Sequence, residues 1–167
     1  GDITAQVPSH VELQNLINHY QNEQYGDAEN LAILLTQQFP SHSFSWKILG
    51  GIYKELGRMT DALAAGEKAV ELDPGDDEAH NSKGVIFENL GRFDEAEASY
   101  KEAILLKPDN CGAYYNLGNA LGKLVKFEEA LAAYRQAVAV NPDYAEAHCN
   151  LGITLQRLGR LEEAEVS

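Results

Sequence analysis

Between Phe93 and Leu106 the apolar residues return at helical spacing, through Ala96, Tyr100, Ala103 and Ile104. The acids Glu95, Glu97 and Glu102 fall between them and read as a solvated face. The segment therefore predicts one amphipathic helix. Asp94, followed three residues later by Glu97, reads as a capping-box-like start. Gly57, Gly91 and Gly159 punctuate predicted turns between helices, where a left-handed residue ends a helix. Pro74, Pro108 and Pro142 close each second helix, because the residue before a proline resists the helical conformation.

This pattern recurs. Prolines stand at 40, 74, 108 and 142, and glycines at 50, 84, 118 and 152, in both cases 34 residues apart. Alanines at 28, 62, 96, 130 and 164 keep the same period. Small residues such as Gly84 and Ala96 are expected where two helices touch, since a larger side chain would push the backbones apart. Aromatics such as Phe93 and Tyr100 fill the space beside them.

The run Trp46-x-x-Leu49-Gly50-x-x-Tyr53, followed by Ala62 and Pro74, resembles the tetratricopeptide repeat (TPR) signature. Later copies read Gly84, Phe87, Phe93, Ala96, Tyr100, Pro108, then Tyr114, Leu117, Gly118, Phe127, Ala130, Tyr134, Pro142, then His148, Leu151, Gly152, Leu161, Ala164. The resemblance implies an all-α fold, a right-handed superhelical solenoid of stacked antiparallel helix pairs. The expected organisation is a tail over 1–8, a degenerate or capping repeat over 9–42, repeats over 43–76, 77–110 and 111–144, and a truncated repeat over 145–167. In the first unit Tyr25, Ala28 and Pro40 hold the period, but Leu16 stands where the small glycine belongs. The last unit stops early in its second helix, which suggests a piece of a longer protein and array ends open to a homo-oligomer.

Charge narrows the partner. Thirteen Lys and Arg against 26 Asp and Glu give a net charge of −13, which argues against nucleic acid, whose phosphates call for a basic surface. No run approaches the ~18 apolar residues of a membrane span, and Gly1 to Gln6 lack the basic and apolar regions of a signal peptide. Cys111 and Cys149 do not make a disulfide framework. A cytoplasmic setting fits these features.

The resemblance also places the binding surface. In this family a concave groove is lined by the first helix of each unit, and its residues carry over to fixed positions. The candidates for holding a peptide are Lys47, Lys54, Asn81, Tyr115, Asn116, Asn119, Lys123, Asn150 and Arg157. Asn116 and Asn150 share one position in adjacent units, and a primary amide can pair with both backbone groups of an extended chain. This is similar to the asparagine ladder in the repeat arm of protein O-linked N-acetylglucosamine transferases, although Ile48 and Ser82 interrupt it. The carboxylate clamp of chaperone-binding repeats is matched by Lys47, but Gly51, Ser82 and Gly112 depart from it.

No chemistry of catalysis is expected. Gly50-Gly51 follows no strand and reads as a packing contact rather than a phosphate loop. His80 and His148 stand where Trp46 and Tyr114 stand in the other units, so they read as packing residues rather than metal ligands. Neither a cofactor nor a metal is anticipated. The leading expectation is a protein-interaction scaffold holding an extended segment, with two alternatives open: the targeting arm of a larger enzyme, or a self-assembling scaffold.

Overall fold

The computed structural model describes residues 7–165, with side chains through Gly159. Described residues form nine α-helices: α1 (His10–Gln21), α2 (Tyr25–Gln38), α3 (Ser43–Glu55), α4 (Met59–Leu72), α5 (Asp77–Asn89), α6 (Phe93–Leu106), α7 (Cys111–Lys123), α8 (Phe127–Val140) and α9 (Ala145–Glu165). No described helix is long and apolar enough to cross a membrane. Two compact units divide the chain, one up to Ile86 and one from Phe87, and the boundary falls inside α5. Odd-numbered helices from α3 onward begin at Ser43, Asp77, Cys111 and Ala145, one period apart.

The core follows from the small residues. In unit 1, a Cβ added to Gly50 of α3 would lie 3.3 Å from the Ala62 carbonyl of α4. In unit 2, α7 passes so close under the Tyr134 ring of α8 that only a glycine fits at 118. Ala28, Ala62, Ala96 and Ala130 are fully buried at the same repeat position. In α1, Leu16 takes the glycine register and is itself fully buried against Ala28, Ala32 and Leu35.

The turns between paired helices need one residue with positive φ. Gly57 and Gly91 supply it at 74° and 72°, where glycine carries no Cβ penalty. Glu23 and Val125 hold the same conformation at 58° and 62°, which is unfavourable for a β-branched side chain. Gly159 does not form the expected turn. It lies inside α9, which runs on to Glu165; among the described residues no helix folds back onto Gly152, and a Cβ there would meet nothing within 4 Å. The reason is energetic. A turn breaks helical hydrogen bonds, and only packing of a following helix offsets that loss. The side chains of Leu161 and Ala164, and most of the tail over 1–8, lie outside what the structure describes.

A second expectation is corrected at the start of α6. Its N-cap is Arg92, with no side-chain cap. Glu97 does not reach back to the helix start. It is buried and accepts from Lys101 and from Lys126 at the head of α8. Two periods earlier, Glu29 pairs with Arg58 at the head of α4 in the same way. The true capping box is at α1, where Ser9 Oγ accepts from the Glu12 amide and the Glu12 carboxylate accepts from the Ser9 amide.

Three of the hairpins are joined to the preceding turn by a ring. Trp46 Nε1 donates to the carbonyl of Pro40 at 2.9 Å. His80 and His148 make the matching contact through Nε2 to Pro74 and Pro142, at 3.0 and 2.7 Å. These rings thus do more than pack: each ties the start of an odd-numbered helix to the proline six residues before it.

Candidate functional site

In unit 2, Tyr115, Asn119 and Lys123 recur every fourth residue along α7 and so share one face. Asn150, Ile153, Thr154 and Arg157 share a face of α9. These faces, with Phe127 and Tyr134 of α8 and Glu88 at the end of α5, line a pocket of about 490 Å3.

Its inner wall is a network of amides and phenols. Tyr134 reaches across Gly118, and its hydroxyl donates to Asn119 Oδ1 at 2.7 Å. Asn150 Nδ2 donates to the same oxygen at 3.0 Å and to the Tyr115 hydroxyl at 3.4 Å. Two donors converging on one oxygen fix the orientation of the Asn119 amide. Its own NH2 group, and the Asn150 Oδ1 acceptor, have no partner among the described residues. Tyr115 is held from two sides, its ring 6.0 Å from that of Tyr134 and 5.0 Å from that of Tyr144. Burial pushes Tyr134 up to about 12 and raises Tyr144, so both phenols stay neutral near pH 7.

Charge sits at the rim. Lys123 is exposed, and the Arg157 guanidinium lies 5.6 Å from the centre of the Phe127 ring. On the opposite side Glu88 accepts from the buried Tyr100 hydroxyl at 2.7 Å.

Unit 1 carries a smaller pocket of about 190 Å3, lined by α3, α4 and α5 with Tyr20 of α1. Lys47 lines it but is tied to Asp76 at 2.7 Å and to Glu78 at 3.4 Å. Burial disfavours the Lys47 ammonium, but the Asp76 hydrogen bond and the two carboxylate charges outweigh it and hold its pKa above the usual value. Lys54, also on the lining, pairs with Glu55 at 2.9 Å.

The structure therefore gathers five of the nine candidates, Tyr115, Asn119, Lys123, Asn150 and Arg157, around one pocket, and Lys47 and Lys54 around another. Asn81 and Asn116 are half-buried, line neither pocket and are engaged within the protein. Asn150 pairs with Asn119, three positions further along α7 than Asn116. Sequence reasoning missed Tyr134, which orients the network, and Phe127, which carries the arginine. Cys111 is half-buried and Cys149 exposed, both as free thiols.

Stacked helix pairs with pockets between their odd-numbered helices define a helical-repeat scaffold, the architecture of protein-interaction modules. Family models described as TPR repeat and tetratricopeptide repeat match residues 89–125, 126–159, 13–77 and 65–98. The chain belongs to the tetratricopeptide repeat family. Among solved structures it is similar to a MamA protein, with TM-score 0.81 and 21% identity over 92% of this chain and 84% of that one. MamA of Desulfovibrio magneticus gives TM-score 0.81 and 19% identity over 93% and 88%. The first TPR domain of Spaghetti (RPAP3), bound to the HSP90 peptide SRMEEVD, gives TM-score 0.69 and 26% identity over 70% and 93%. A comparison with curated proteins gave no match.

Proposed function

We propose that this chain is a protein-interaction scaffold that holds an extended peptide segment against its odd-numbered helices, and that the amide and phenol network of unit 2 grips the peptide backbone. One observation carries the reading. Asn119 offers uncommitted N–H donors and Asn150 an uncommitted carbonyl acceptor in the same pocket. A peptide bond presents the complementary pair, and such pairing is indifferent to sequence. Support also comes from the RPAP3 relative, whose TPR domain is bound to a peptide. The inner wall offers amide and phenol groups and so suits neutral backbone, while Lys123 and Arg157 would bias the flanking residues toward acid. The same grip would serve a free scaffold or the targeting arm of a larger enzyme.

The test is selection of binders from a random peptide library, followed by affinities for the parent, Asn119→Ala, Asn150→Ala and Asn116→Ala. Losses of about tenfold are expected for the first two substitutions, each removing one backbone bond of roughly 1.4 kcal/mol. Asn116→Ala should fall near the parent. Equal affinities for all four proteins would remove the proposed grip.

A further inference from the structure

We propose that the pocket of unit 1 is a berth for one aromatic side chain of the bound segment, tyrosine in preference to phenylalanine. This rests on the peptide reading above.

The argument begins with three residues 34 apart: Gly66, Tyr100 and Tyr134. Tyr100 is fully buried and Tyr134 is 4% exposed. Each sends its hydroxyl to a groove-lining residue, Glu88 or Asn119, at 2.7 Å. At Gly66 that ring is missing. Among the described residues none takes that place: Tyr20 lines the pocket on the Gly51 side, and about 190 Å3 stands open beside Gly50, Gly66, Ala69 and Ile86.

The backbone does not demand glycine there. Gly66 has no positive φ, and a Cβ on it would meet only Ile86 Cδ1, at an ordinary 3.5 Å. The residue leaves a void rather than serving a turn. An apolar void costs stability until something occupies it, and a cavity of about 150 Å3 lined by aliphatic side chains is enough to take a benzene ring. The walls here combine Ile48, Ala69 and Ile86 with the polar Lys47, Lys54 and Ser82, so a single ring with a polar tip matches both the volume and the polarity.

The rim selects among rings. Lys54 stands one period before Glu88, the residue that Tyr100 reaches. A phenol in the Gly66 berth would therefore present its oxygen toward Lys54, whose ammonium has three N–H donors and gives Glu55 a single ion pair at 2.9 Å. Lys47 is already neutralised by Asp76 and Glu78, so the site gains little from a carboxylate and takes a neutral ring.

The experiment follows the Ile48 and Ile86 methyl resonances of the whole chain while N-acetyltyrosinamide, N-acetylphenylalaninamide or N-acetylleucinamide is added. Saturable shifts are expected for the tyrosine amide, several-fold weaker binding for the phenylalanine amide, and no saturation for the leucine amide. Gly66→Tyr, which restores the ring present at 100 and 134, should abolish the shifts and raise the melting temperature. Should that variant not fold, Ser82→Trp on the exposed mouth should weaken the tyrosine amide at least tenfold. Three amides of equal effect, or binding untouched by a folded blocking variant, would overturn the proposal. So would methyl shifts that grow with protein concentration alone, which would identify a second copy as the occupant. The two readings fail separately. If selected peptides need Asn150 but tolerate loss of their aromatic residue, the berth is wrong and the backbone grip stands. If the tyrosine amide binds while Asn150→Ala leaves peptide affinity unchanged, the reverse holds.

Discussion

A Cβ placed on Gly118 would lie 2.5 Å from Cε1 of Tyr134, the residue whose hydroxyl orients the Asn119 amide. The glycine and the tyrosine are one structural decision, and the site depends on it. Gly118→Ala should destabilise the protein by about 1–3 kcal/mol, the usual range for forcing volume into a packed core. Gly152 has the same repeat position but no neighbour within 4 Å. Gly152→Ala should therefore stabilise by about 0.5–1 kcal/mol through helix propensity alone. Urea denaturation of the two variants checks both signs.

Val125 is held in a backbone conformation that a β-branched side chain disfavours. Its φ of 62° serves a turn that Gly57 and Gly91 make without strain. Val125→Gly should raise stability by roughly 1 kcal/mol, whereas Gly91→Ala should lower it by a similar amount. Thermal melts of both, compared with the parent, give the measurement.

Glu97 links folding to acid. Burial would raise its pKa, but hydrogen bonds from Lys101 and Lys126 outweigh this and hold it below the ordinary glutamate value of 4.5. A lowered folded pKa means that the stabilisation is fully present above about 4.5 and is lost as pH falls through the folded value. Leucine occupies the same register at 63 and 131, so Glu97→Leu should fold. Its stability should fall less steeply than the parent's below pH 4.5, as read from denaturation midpoints across pH 3 to 7.

Tyr134 gives the opposite slope in base. Its folded pKa is raised from 10.0 to about 12, so the folded state favours the neutral phenol. That stabilisation is present below pH 10 and is lost between 10 and 12. Tyr134→Phe should flatten this part of the profile. At pH 7 it should cost about 1 kcal/mol for the lost bond to Asn119 and weaken peptide binding, because the Asn119 amide is then held by the Asn150 donor alone.

The fold was legible because packing is repetitive. Gly50 and Gly118 are small since a second helix lies against them, and that need recurs every 34 residues. Where the physics depends on a distant partner, the same letters mislead. Gly159 looks like Gly91, yet a turn forms only where a following helix repays it. The Asp94 and Glu97 pair looks like a cap, yet Lys126, 29 residues on, takes the carboxylate. The site was half legible for the same reason. Register located Asn150 and Asn119 as groove residues, but their pairing is set by the Tyr134 hydroxyl arriving from the next helix.

The rings at 100 and 134 and the gap at 66 show that one position can either finish the interior or open it. A tyrosine there closes the hairpin from within and shuts out any guest. A glycine leaves the hairpin with an open pocket, which on the proposal above a guest ring would complete. Affinity at such a place would come from folding energy withheld from the chain itself, so a repeat of this kind would be firmest when occupied, and binding would register as a rise in melting temperature.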